Sequence, residues 1–310
     1  MNIRGVKVNL PALAPKDVED ITNGVKAGFN YIFASFVRRA DDVKQIRKLL
    51  NDNGGQEIEI ISKIESQEGI DNMDEIIELS DGIMVARGDM GVEIPLENVP
   101  IVQKQLIKKC NEAGKPVIVA TQMLESMQSN PRPTRAETSD VANAIYDLTS
   151  CIMLSGECAM GKYPVECVEV MNKIALAIEA DLNYTKRFDC TRFDHDIVED
   201  SRHQAAYDAV ETVLNANADA VACYTRSGRT AEYLSSMRTE VPVLIITDNV
   251  NTYNKMSLIQ GVETVLVDSK DFVNDMIEDG IAKFEANGTL EKGDKVVIAG
   301  IEAELGSTRK

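Results

Sequence analysis

The sequence predicts an α/β protein of two domains, each assembled from repeated βα units. Three observations carry this expectation. Short β-branched runs alternate with longer segments of helical period, the pattern of stacked βα units around a parallel sheet. After Asp181 the alternation breaks into a charged, mixed stretch that lasts through Asp200, and then it resumes. A chain of 310 residues with 44% hydrophobic content is too long for one typical core and rich enough to bury two. The expected organisation is a first domain over 1–183, a linker over 184–200 and a second α/β domain over 201–310.

In the first series the predicted strands are Tyr31–Ser35, Ile58–Ile64, Gly82–Ala86, Pro116–Ala120 and Cys151–Leu154. Helical periodicity falls near 15–28, 40–52, 68–79, 97–113, 137–147 and 163–183. Pro15 and Pro164 stand where a first helical turn tolerates proline, because the missing N–H has no intrahelical partner there. Five βα units in a row fit a barrel or a doubly wound sheet. The second series places strands near Ala220–Tyr224, Val243–Thr247, Val262–Val267 and Lys295–Ala299.

Composition narrows the function. Asp and Glu total 50 against 33 Lys and Arg, a formal net charge of -17, so the mean surface field repels nucleic acid and anionic membrane. A small anionic ligand then needs a local basic or metal-filled pocket. The apolar runs are strand-sized, well short of the roughly 20 residues of a spanning helix, and Met1 precedes no signal-type segment. The expectation is a soluble, cytoplasmic protein. Six cysteines (Cys110, Cys151, Cys158, Cys167, Cys190 and Cys223) form no CxxC pair and read as reduced thiols. The two histidines, His195 and His203, lie in the linker-like stretch and the helix after it, so catalysis falls to Lys, Thr, carboxylates or a bound metal.

Four strand ends carry polar groups at equivalent places. Lys63 and Glu65 leave the second strand two residues apart and therefore on one face, at the C-terminal end where parallel α/β folds bind ligands. Asp89 follows the third strand in Ala86-Arg87-Gly88-Asp89, a stretch that reads as a turn or as half of a metal site. Two carboxylates on neighbouring strand ends suit Mg²⁺ or Mn²⁺ better than zinc. The fourth strand ends at Ala120-Thr121-Gln122, and the fifth runs into Ser155-Gly156-Glu157. In the second domain Thr225-Arg226-Ser227-Gly228-Arg229-Thr230 joins a strand to a helix. It reads as a plain βα turn with a capping serine, or as an anion grip of hydroxyls, guanidinium groups and a helix N-terminus.

These blocks resemble the pyruvate kinase family. Lys63-Ile64-Glu65 in its context from Ile58 to Ile70 is similar to the family signature, and Val85–Glu93 to the next block. Thr121–Ser126, Asn130–Glu137 and Met153–Glu157 follow in the same order, and the resemblance extends from about Gly5 to Gly300. It implies a partial TIM-type (β/α) barrel followed by a smaller α/β sheet domain. It further implies phosphoryl transfer from phosphoenolpyruvate to ADP, giving pyruvate and ATP in glycolysis, in a cytoplasmic homotetramer. Glu65 and Asp89 are then the metal ligands, and Lys63 neutralises charge on the phosphoryl group and enolate oxygen. Thr121 lines the protonated face of the enolate, and Ala86, Gly88 and Asp89 receive the substrate carboxylate. The Thr225–Thr230 loop is similar to the family's phosphate-gripping loop for a sugar-phosphate effector.

The family's first three barrel strands, cap domain, phosphate-binding arginine and K⁺ ligands precede the segment that matches Gly5–Pro11, and its last strand follows Thr308. The expectation is therefore a truncated chain whose activity alone is in question. Two further functions remain open. One is a metal-dependent lyase or decarboxylase of pyruvate-like acids, and the other a non-catalytic regulatory or binding subunit.

Overall fold

The computed structural model describes residues 11–184 and 201–299. Cys190, His195, Gly5 and the tail beyond Ala299 lie outside the described residues. The chain divides into two compact units on either side of the Leu182–Asn183 bond.

The first unit runs α1 (Pro15–Lys26), β1 (Tyr31–Ala34), α2 (Ala40–Asp52), β2 (Glu59–Ile64), α3 (Gln67–Asp71), α4 (Met73–Leu79) and β3 (Gly82–Ala86). It continues with α5 (Arg87–Glu93), α6 (Val99–Glu112), β4 (Val117–Ala120), α7 (Arg135–Tyr146), β5 (Cys151–Met153), α8 (Gly156–Ala159) and α9 (Pro164–Glu179). Its five strands are parallel and stand in chain order, β1-β2-β3-β4-β5. Each crossover therefore steps one place in the same direction. A doubly wound sheet reverses direction once; consecutive order is the winding of a barrel.

Side-chain alternation separates the two faces of this sheet. Ile60, Ile64, Ile83, Val85, Val117 and Val119 join Leu50, Ile76, Leu106 and Ile145 of the helices in the main core. The other face carries Ile61, Met84, Ile118 and Ala120, with Tyr31, Cys151 and Met153 packed beside them. Lys63, two residues past Ile61, falls on that inner face. Each fully buried isoleucine stabilises the unit by about 1.5–3 kcal/mol relative to exposure.

Two local expectations are corrected. The helix predicted over 68–79 is broken at Asn72, whose side-chain amide donates to Glu68 O and to Arg38 O, both at 2.9 Å. An asparagine offers the backbone this alternative to continuing the ladder. The turn expected at Arg87–Asp89 is the first turn of α5, which follows β3 with no intervening loop. The helix expected over 163–183 forms as α9, and one-turn α8 before it is an element the periodicity did not show.

The second unit contains α10 (Ser201–Ala216), β6 (Ala220–Tyr224), α11 (Arg229–Ser236), β7 (Val243–Thr247), α12 (Val250–Lys255), β8 (Val262–Leu266), α13 (Val273–Asn287) and β9 (Val296–Ala299). Its parallel sheet has the order β8-β7-β6-β9. Here the winding reverses: after β8 the chain returns across the sheet to pair β9 with β6. Val221, Cys223, Val243 and Ile245 face α10 and α11, and Ala220, Ala222, Leu244 and Ile246 face Met276, Ile277 and Phe284 of α13. The C-terminal ends of β6 and β9 thus flank a switch point, the place where open α/β sheets bind ligands. No helix among the described residues is long and apolar enough to cross a membrane.

Candidate functional site

Sheet register brings the predicted groups to one level. Ile64 pairs with Val85 and Ala86 with Ala120, so Glu65, Arg87 and Thr121 each leave their strands at the same edge. Asp89 stands in the first turn of α5, where the helix dipole favours a negative charge.

The centre of this edge is an ion pair between half-buried Lys63 and buried Glu65. Lys63 Nζ lies 2.9 Å from Glu65 Oε1, and the Glu65 side chain is completely buried. Lys63 also donates to Ser35 Oγ at 2.8 Å, and Phe36 N–H donates to Glu65 Oε2 at 2.5 Å. Both partners follow β1, because Ala34 pairs with Ser62 and the next residues meet the next level of β2. Glu65 Oε1 nevertheless accepts no hydrogen bond, so the lysine meets it as a charge without an aligned N–H. A buried carboxylate oxygen left in that state costs free energy unless a cation completes it. The half-buried Asp89 carboxylate makes no hydrogen bond or ion pair among the described residues.

Thr121 and Gln122 occupy left-handed backbone at φ 71° and 54°. A β-branched residue there is strained by about 1–3 kcal/mol and persists only when its surroundings over-determine it. Arg87 provides most of that determination. Its guanidinium donates to Thr121 O at 2.7 Å, to Asp140 Oδ1 at 2.7 Å, to Gln103 Oε1 at 3.3 Å and to Ala120 O at 3.4 Å. Gly88 N–H donates to Thr121 Oγ1 at 2.7 Å, and that hydroxyl donates to Ala120 O at 2.6 Å.

Two carboxylates hold the chain beyond Thr121. Buried Glu157 accepts from Leu124 N–H at 3.0 Å and from Ser155 N–H at 2.9 Å, fastening the β4 loop to the start of α8. Glu137 caps α7 with Thr134 and accepts from Ser126 N–H and Oγ, both at 2.6 Å. Burial works to raise the Glu137 pKa, but the hydrogen bonds from Ser126 and Thr134 outweigh it and hold the carboxyl below its ordinary range.

Sequence reasoning passed over Ser35, Phe36 and the supporting role of Arg87, Asp140 and Glu157. Arg87 lies within Val85–Glu93 and Glu157 ends Met153–Glu157, and a strand-end arginine between alanine and glycine was the available signal. Ser35-Phe36 carried none, since its contacts exist only through β1–β2 pairing. Among the described residues no group of three or more His, Cys, Asp or Glu converges on one point.

In the second unit the Thr225–Thr230 loop lies at the switch point and is closed on itself. Gly228, at φ 87°, gives its N–H to Thr225 Oγ1 at 3.1 Å, and its left-handed backbone favours glycine. Ser227 Oγ accepts from Arg229 N–H at 3.5 Å, and Thr230 is buried. Arg226 pairs with Asp248 at 3.1 Å, while Arg229 lies over the Tyr233 ring at 5.4 Å. Burial and the hydrogen bond to Asp248 push Tyr224 up to about 12. Burial also works to raise Asp248, but donation from Tyr224 and Ser269 and the charge of Arg226 hold it below its usual value.

Comparison with known proteins adds an independent finding. The family model described as pyruvate kinase, barrel domain, matches residues 1–168, and that described as pyruvate kinase, alpha/beta domain, matches 203–308. The chain is 49% identical to the pyruvate kinase of Sporosarcina psychrophila over 99% of its own length and 53% of that protein's. It is 48% identical to the Bacillus licheniformis pyruvate kinase, again over 99% of this chain and 52% of the relative. With the Clostridium acetobutylicum pyruvate kinase it shares 45% identity over 99% of this chain and 65% of the relative. The chain thus spans about half the length of the first two relatives.

Proposed function

Because the chain belongs to the pyruvate kinase family, we propose that it carries the strand-end machinery that transfers a phosphoryl group from phosphoenolpyruvate to ADP, giving pyruvate and ATP. The observation that supports this reading best is the completely buried Glu65 carboxylate, whose Oε1 lacks a hydrogen bond and faces only the Lys63 charge. A divalent oxygen-seeking cation fits that atom together with the unpartnered Asp89 carboxylate, and a pair of protein ligands leaves the remaining positions to water and substrate oxygens. Mg²⁺ or Mn²⁺ held by Glu65 and Asp89 would supply positive charge to the phosphoryl and enolpyruvate oxygens.

The chain's own groups take the other roles. Lys63, anchored by Ser35 and 22% exposed, presents a fixed ammonium to the charge that builds as the phosphoryl group leaves. The backbone at Ala86, Gly88 and Asp89 receives the substrate carboxylate. That carboxylate takes the Gly88 N–H now bonded to Thr121 Oγ1 and turns the threonine hydroxyl toward the enolate. Arg87 keeps Thr121 in its left-handed conformation while this exchange occurs. K⁺ is a further requirement of the proposed reaction.

Residues 1–183 are assigned to a barrel domain with the metal and enolate site, 184–200 to a linker and 201–310 to an effector-type domain with a sugar-phosphate loop at Thr225–Thr230. A cytoplasmic homo-oligomer is part of the same proposal, with Val165, Val168 and Leu176 of α9 and the 80%-exposed Met160 as the apolar surface available for it. The test is pyruvate formation from phosphoenolpyruvate and ADP with Mg²⁺ and K⁺, beside Lys63→Met purified identically. Turnover that disappears in the variant supports the assignment; equal rates in both overturn it.

A further inference from the structure

Five free cysteines occur among the described residues, and two of them share one corner. Cys158 is exposed on α8, and its Sγ lies 3.7 Å from Pro164 O in the first turn of α9. A helical carbonyl points toward the residues three and four positions on, so the carbonyl that Cys158 touches lies beside Cys167. Cys167 is fully buried, with its Sγ 3.9 Å from Met127 O. Burial is the main cause that raises the Cys167 pKa, and the charge of the neighbouring Cys158 is the next. Cys110 and Cys223, by contrast, are buried and pushed up to about 12 with no second thiol acting on either, so neither has a partner to bridge among the described residues.

We infer that Cys158 and Cys167 form a reversible redox pair in which oxidation closes a disulfide across the α8–α9 turn and loosens the loop held by Glu157. The chemistry balances with a peroxide as oxidant. Cys158 thiol attacks hydrogen peroxide, the O–O bond breaks, and sulfenic acid and one water result. Cys167 sulfur then displaces that hydroxyl, forming the S–S bond as a second water leaves with the Cys167 proton. The exposed sulfur meets the oxidant and the buried one resolves it. Bridging draws α8 toward α9, and α8 carries Glu157, whose carboxylate fastens Leu124 N–H three residues beyond Thr121. Disulfides in a reducing compartment are characteristically transient and redox-sensing, which fits a pair standing as free thiols.

The test treats the full chain with hydrogen peroxide and maps tryptic peptides without reduction. Cleavage after Arg135, Lys162 and Lys173 places Cys158 and Cys167 on separate peptides, 136–162 and 163–173. The expected product is those two peptides cross-linked and lighter by two hydrogens, present also in Cys151→Ser, absent in Cys158→Ser and released by dithiothreitol. Amide exchange in the segment around Leu124 is expected to rise on bridging and to return on reduction. Cys158 oxidised without a cross-link, or a cross-link that survives Cys158→Ser, overturns the pair. A cross-link that leaves exchange around Leu124 unchanged overturns its coupling to the loop. Neither readout depends on turnover, so failure here is distinct from failure of the proposed activity.

Discussion

The two units present similar chemistry at the ends of parallel strands and treat it in opposite ways. At the β2–β3–β4 edge a buried glutamate has an oxygen without a hydrogen bond, an aspartate has no partner among the described residues and a threonine is held in strained backbone. At the end of β6 the same kinds of group are spent on one another: Thr225 caps Gly228, Arg226 pairs with Asp248 and Arg229 stacks on Tyr233. Unmet electrostatic demand in a buried place marks where a cation and an anionic substrate gain most. A loop that satisfies itself must exchange existing bonds before it can grip a phosphate, so its ligand has less to win.

The contrast is sharpest at Lys63 and Glu65. Glu65→Gln or Lys63→Met is expected to lower kcat by ~10³-fold or more, the scale of removing one preorganised charge from a transition state. Steady-state pyruvate formation checks this. Lys63→Met should also destabilise the first unit, because it strands a buried carboxylate, whereas Glu65→Gln should not. Equal stability losses would show that the pair is held as structure and not as a poised site.

Arg87→Lys comes next. A lysine cannot reproduce the fork that reaches Thr121 O, Asp140 and Gln103 together. Release of the left-handed Thr121 is expected to cost about 10²-fold in kcat with a smaller change in KM, as a misplacement of about 1 Å does.

Arg226→Ala probes the other side. Arg226 is 71% exposed, so its pair with Asp248 should contribute within about 1 kcal/mol, read from urea unfolding. Calorimetric titration with a sugar bisphosphate should show heat that disappears in the variant. No heat in either protein would leave the loop as a turn only, and the contrast between the units would become absolute.

The smallest effect is in acid. Glu137 and Asp248 both have folded pKa values below their ordinary 4.5 and 3.8, so each adds stability that is complete above those values and is lost as pH falls through them. Glu137→Gln is expected to flatten the acid limb of thermal stability of unit 1 below about pH 4.5, and Asp248→Asn that of unit 2 below about pH 3.8. A steeper limb in either variant reverses the sign and removes that carboxylate from the account.

Much of the fold was legible because its signals are local. Gly82–Ala86 and Ala220–Tyr224 read as strands from β-branched and small residues between turn signals, and both form over those residues. Pro164 marked the first position of α9 for the same kind of reason, since a missing N–H is harmless there. The break at Asn72 and the immediate start of α5 were not legible. Asn72 stops a helix because Arg38 O, 34 residues away, accepts its amide, and α5 begins at Arg87 where the guanidinium bonds across to Ala120 O of β4.

The sequence by itself determined the alternation of βα units, the acidic surface and the family to which Lys63-Ile64-Glu65 and Arg87-Gly88-Asp89 belong. Tertiary structure alone decided the winding of each sheet, consecutive in the first unit and reversed between β6 and β9 in the second. It also decided which polar groups are left wanting. Glu65 and Asp248 are both carboxylates at strand ends, yet Asp248 accepts from Tyr224 and Arg226 while Glu65 keeps one oxygen without a hydrogen bond. That difference depends on which donors neighbouring strands bring within about 3 Å, and no pattern along one chain records it.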